Sequence, residues 1–144
     1  MSAQNYHNHS RLVPLYHYGV FSALLIVLAG SIRHWIHAVQ AGSSAYPASL
    51  LVLLCLATIL GVFYGRYFAL RAQDRAIRAE MQFRHYLATG KPLDPSLRMG
   101  QIIALRFAGD DEFVALCERA AREQLAPKVI KESIQNWKPD YHRV

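Results

Sequence analysis

The residues best suited to chemistry are seven histidines, two cysteines and one acidic triplet. Five of the histidines (His7, His9, His17, His34 and His37) fall in the first 37 residues. Imidazole at that density invites a metal ion or a haem. Haem held between helices needs two imidazoles at one depth. His17 and His34 lie about 25 Å apart along a helix, and the second apolar segment carries no histidine. A bis-histidine haem within one chain is therefore excluded, and a redox subunit built from N-terminal histidines across a dimer stays as an alternative. His7-x-His9, with Asn5 and Asn8, has no carboxylate or thiolate beside it, so polar anchoring is the simpler reading. Cys55 and Cys117 sit in segments of opposite character and are not expected to pair. Asp110-Asp111-Glu112 stands where a helix pattern starts, a position at which acids satisfy free N–H groups. There is no phosphate-binding loop, G-x-S-x-G, H-E-x-x-H or C-x-x-C. The expectation is a non-enzymatic protein with no cofactor and no metal.

The elements that would position these residues are set by where charge is missing. Residues 1–70 contain Arg11, Arg33 and Arg66 and no acid, whereas residues 71–144 contain thirteen basic and ten acidic side chains. Each part carries +3, but only the second has the charge density of a water-exposed chain. Residues 13–32 and 45–65 are free of Asp, Glu, Lys and Arg. Some 20 apolar residues rising ~1.5 Å each cross a hydrocarbon core of ~30 Å, and lipid leaves the backbone no alternative to a helix. Pro14 and Pro47 suit first helical turns. Tyr16, Tyr18, Trp35, Tyr46, Tyr64, Tyr67 and Phe68 fall where the membrane interfaces would be. Two buried helices of a soluble protein fit such runs poorly in so short a chain. A cleaved leader ending at Val39-Gln40-Ala41 is disfavoured by Arg33, His34 and His37 before that site.

The fold expected is all-α: a membrane helical hairpin whose second span extends into a cytoplasmic helix, followed by a small three-helix tail. Its segments are an N-terminal stretch (1–12), a first span (13–36), a short external loop (37–46), a second span (47–70), a juxtamembrane helix (71–88), a linker (89–95) and a tail domain (96–144). Arg66, Arg71, Arg75 and Arg78 crowd the exit of the second span, so the positive-inside rule places both termini in the cytoplasm. These four arginines are the expected lipid-headgroup contacts. The acids interleaved with them argue against nucleic acid as a partner.

Ala57, Gly61, Gly65 and Ala69 recur every fourth residue and line one side of the second span. Small residues let membrane helices approach closely. The plain expectation is that the two spans pack through this stripe; the alternative is a partner or homo-oligomer interface. No charged residue lies mid-span, which argues against a transporter acting alone. Beyond the spans, Asp74–Arg78 and Glu80–Arg84 are spaced for helical ion pairs, and Ile77, Met81 and Leu87 for one apolar side. Three short tail helices are expected over 96–108, 111–125 and 127–137, the second N-capped by Asp110. Their core is too small to stand alone, so the tail should lean on the long helix, the membrane surface or a partner. A DNA-reading helix-turn-helix is disfavoured by the net negative second helix.

Several blocks also resemble an uncharacterised family of small bacterial two-span membrane proteins. They are Gln4-Asn5-Tyr6-x-Asn8-His9, Pro14-Leu15-Tyr16-His17, the run from Ala69 to Arg78, the run from Gln101 to Glu112, and Ile134-x-Asn136-Trp137. The resemblance implies the same architecture and a place in the bacterial inner membrane. It implies no activity and no catalytic residue. The function expected is an accessory or scaffold subunit of a larger membrane assembly, with a membrane-tethered cytoplasmic regulator as a further alternative.

Overall fold

The computed structural model describes residues 5, 6 and 13–140. Five α-helices and no strand are found among them: α1 (Phe21–Gln40), α2 (Tyr46–Thr89), α3 (Met99–Leu105), α4 (Phe113–Arg122) and α5 (Pro127–Ser133). The chain divides into two compact units, one within Arg11–Phe68, the other combining Ala69–Val144 with Met1–Ser10.

In the first unit, a π-helical turn at Leu15–Val20 leads into α1, and the two together are long and apolar enough to cross a membrane. So is α2, which has 44 residues. Gly42 turns the chain between them. Its φ of +65° is one an L side chain rarely adopts. The Gly42 N–H bonds to the Val39 carbonyl and the Ser43 N–H to the Ala38 carbonyl, closing the end of α1 as a Schellman motif. The link is so short that the helices return antiparallel. Tyr16 then donates its hydroxyl to the Val62 carbonyl at 2.8 Å, and the Arg66 guanidinium lies 5.7 Å from the Tyr16 ring.

The contact between these helices shows in their burial. On α2 the shielded positions include Ala48, Val52, Cys55, Ile59, Val62 and Arg66; on the facing helical arm of the hairpin they include His17, Phe21, Leu24, Leu28, Ser31 and Ala38. Both sets alternate steps of four and three (or a full seven), the spacing of a knobs-into-holes seam. Most positions off the seam stay open. Only 6% and 11% of the two apolar stretches is buried.

The second unit has a core of its own. Ile77 and Met81 of α2 pack with Leu93, Leu97, Ile102, Leu105, Phe113, Leu116, Cys117, Ala120 and Ile130. The tail therefore leans on the long helix, as a core of this size requires. Gln101, almost fully buried, fastens α3: its Oε1 accepts the Arg98 N–H and its Nε2 donates to the Leu125 carbonyl. Phe107 stacks on Trp137 with ring centres 4.7 Å apart.

Four expectations are corrected here. The helix expected over 96–108 is only Met99–Leu105, because Ala108 leaves it to form a bridge with Trp137 and Phe107 offers its carbonyl to the Lys138 N–H. The next helix starts at Phe113, with Glu112 rather than Asp110 at its N-cap position, and ends at Arg122. The last stops at Ser133, since 134–140 serve that bridge. Leu87 does not join the apolar side of Ile77 and Met81, and is 70% exposed.

Candidate functional site

The sequence nominates α2, and the structure shows which face of it is free. Ala57, Gly61 and Gly65 are exposed and Ala69 is half-buried. A Cβ placed on Gly61 or Gly65 would meet nothing within 4 Å. Gly61 and Gly65 are therefore not in the contact between the two helices. They meet through Ala48, Cys55, Ile59 and Val62, with Ala57 and Gly61 on the far side of the helix, whereas half-buried Ala69 follows Arg66 by three and continues the seam spacing. Alternate four-and-three spacing in ordinary aliphatic residues outcompetes a strict every-fourth-residue stripe, because it keeps a seam aligned over several turns. Leu53, Leu54, Tyr64 and Phe68 around the stripe are all exposed.

Arg71, Arg75 and Arg78 are exposed, while Arg66 is half-buried against Tyr16. Tyr18, Trp35, Tyr46, Tyr64, Tyr67 and Phe68 are exposed near the ends of the apolar stretches. Tyr64, Tyr67 and Phe68 also meet one another edge to face or tilted.

The acidic triplet is fully engaged in holding the tail together. Asp110 takes Arg84 Nε at 2.9 Å and Lys138 Nζ at 3.3 Å. Asp111 accepts from the Asn136 amide. Glu112 accepts the N–H groups of Gln135 and Asn136 at 3.1 and 2.9 Å. Arg84 is the hub. Its Nη2 donates to the Ala108 carbonyl at 2.7 Å and its guanidinium lies 4.0 Å from the Phe113 ring, with the side chain 14% exposed. The hydrogen bond and charge of Arg84, then those of Lys138, hold the Asp110 carboxyl below the usual range. Arg84 thus reaches across the fold to Asp110 in place of the expected helical pair with Glu80. Gly109 sits inside this clasp, where a Cβ would come within 2.5 Å of the Asp111 carboxylate and 3.0 Å of the Asn136 carbonyl.

Sequence reasoning missed two features. His85 is buried, with Nδ1 3.0 Å from the Lys91 carbonyl, latching the turn that follows α2. Asn5 and Tyr6 lie beside Lys131, Gln135 and Trp137 around an open cavity of about 560 Å³. Neither contact has a local signal, since each joins residues read as separate segments. Of the candidate ligands, His17 bonds within its own turn at Val13, and His34 and His37 are exposed. His7 and His9 lie outside the described residues. No group of three metal-binding side chains forms among the described residues. Cys117 is buried, and desolvation raises its pKa to about 12, so it holds a neutral thiol.

Comparison with curated proteins and with solved structures finds no match. An all-helical chain with two membrane-length helices and a clasped tail, matched from residue 1 to residue 144, belongs to the family of unknown function DUF6526.

Proposed function

We propose that this protein is a two-span integral membrane protein that acts as a non-enzymatic accessory or scaffold subunit of a larger assembly in the bacterial cytoplasmic membrane. The observation that carries this reading is the open stripe at Ala57, Gly61 and Gly65 on a helix whose own hairpin partner binds elsewhere. In water, so large an exposed apolar surface would aggregate; in a bilayer, lipid covers it at no cost. The small-residue stripe is then the place where another helix approaches closely. Both termini belong on the cytoplasmic side, because Arg71, Arg75 and Arg78 follow the second span, and Arg71 and Arg78 meet anionic headgroups there. Asn5 and Tyr6 beside the tail support one shared side for both ends.

The test is capture of the full-length protein from native membranes in mild detergent, followed by mass spectrometry of what comes with it. A defined set of membrane proteins, or a stable homo-oligomer, is expected. Gly61→Leu and Gly65→Leu should remove those companions while leaving the chain in the membrane. Wild-type assembly in both variants sinks the stripe as the interface.

A further inference from the structure

We propose that the juxtamembrane part of α2 pairs with a second copy of this chain as a parallel two-helix seam, through Ala72, Ala76, Ala79, Phe83 and Tyr86. All five are exposed, with Phe83 63% and Tyr86 57% open to solvent. Their steps of four, three, four and three make a coiled-coil seam. The tail covers the other side of the helix: Ile77, Met81, Arg84 and His85 occupy the outward positions of the same heptads and are buried or half-buried. The chain thus shields one face of this helix and leaves its aromatic and alanine face uncovered.

Charge identifies the occupant. In a parallel pair, the residue flanking one edge of the seam meets the residue five positions further along on the other edge of the partner helix. Here those residues are Arg75 and Glu80. They lie on opposite flanks of the seam, and neither forms an ion pair among the described residues. Two-fold symmetry makes the match twice, Arg75 to Glu80 in each direction. An unrelated protein has no reason to present that register, whereas a second copy presents it automatically. The parallel sense rests on the membrane reading above, because copies inserted alike bring α2 out of the bilayer in the same direction.

The experiment uses full-length protein in native membrane vesicles, washed with alkaline carbonate and then oxidised with copper phenanthroline. Ala72→Cys and Ala79→Cys should each form a disulfide-linked dimer, and Arg78→Cys, exposed but off the seam, should not. An antiparallel pair centred on Ala79 would hold the two Ala72 positions ~20 Å apart and leave Ala72→Cys uncrosslinked. In the Ala79→Cys background, Arg75→Glu or Glu80→Arg should lower the dimer yield about threefold, and the double swap should restore it. Carbonate-resistant protein whose Ala72→Cys and Ala79→Cys dimers do not exceed those of Arg78→Cys overturns the seam alone. A swap that is not restored removes the charge match and with it the second copy. Release of the protein by carbonate sinks the membrane reading itself.

Discussion

Arg84 is the residue on which the tail most depends. It joins α2 to Asp110, to the Ala108 carbonyl and to the Phe113 ring. A lysine cannot hold a fork and a ring at once, so Arg84→Lys should be destabilising and Arg84→Ala more so. Thermal unfolding of the full chain in detergent measures both, and a wild-type midpoint in Arg84→Ala would remove the hub. Asp110 adds a pH dependence whose sign is fixed. Its folded pKa is depressed, so its contribution stands in full above the ordinary aspartate value and fades as pH falls through the lowered one. Asp110→Asn should therefore lower the midpoint at neutral pH, with the gap to wild type closing in acid. A gap that persists unchanged at low pH would contradict that origin. Gly109→Ala should cost about 1–3 kcal/mol by overpacking, because two of its three near neighbours belong to Asn136 and cannot simply swing away. The sequence reads the triplet as a helix cap, but no acid side chain caps α4, and the three carboxylates bind Arg84, Lys138, Asn136 and Gln135 instead. The triplet's partners at Arg84, Asn136 and Lys138 were not legible, since polar contacts between residues 25 to 28 apart leave no periodic trace.

At the scale of elements, the hairpin and the stripe make opposite demands. Ala48 is almost fully buried in the seam between the spans. Ala48→Leu should weaken the folded hairpin by about 1–3 kcal/mol through overpacking. Gly61→Leu should leave it intact, because the new side chain enters open space. Resistance to unfolding by denaturing detergent separates the two, and equal loss in both variants would mean that the stripe lies inside the hairpin after all. The two membrane-length helices and the short turn could be read from charge-free runs and from Gly42. Which side of α2 each feature occupies could not, since heptad steps and four-residue steps overlap in a segment made almost wholly of Leu, Val, Ile and Ala. In the tail, helix existence was legible from apolar spacing and from Pro127. Helix ends were not, because Ala108, Trp137 and Lys138 exchange helical bonds for a bridge formed only in the finished fold.

At the scale of the whole molecule, one uninterrupted helix carries both the membrane-length apolar surface and two core residues of the tail. A tail fragment covering 90–144 lacks Ile77, Met81, Arg84 and His85, so it should stay unfolded by far-UV circular dichroism. A cooperative transition in that fragment would instead favour a tail that works independently of the membrane. The central claim is the hairpin itself, and its most direct measurement is the sidedness of two single labels. Cys55 and Cys117 are buried, so a membrane-impermeant maleimide should ignore them in the folded protein. Ser44→Cys in the turn and Lys91→Cys after α2 should then react from opposite sides of sealed, carbonate-washed vesicles, with Lys91→Cys on the cytoplasmic side. Labelling of both from one side, or loss of the protein in the carbonate wash, would contradict a two-span hairpin.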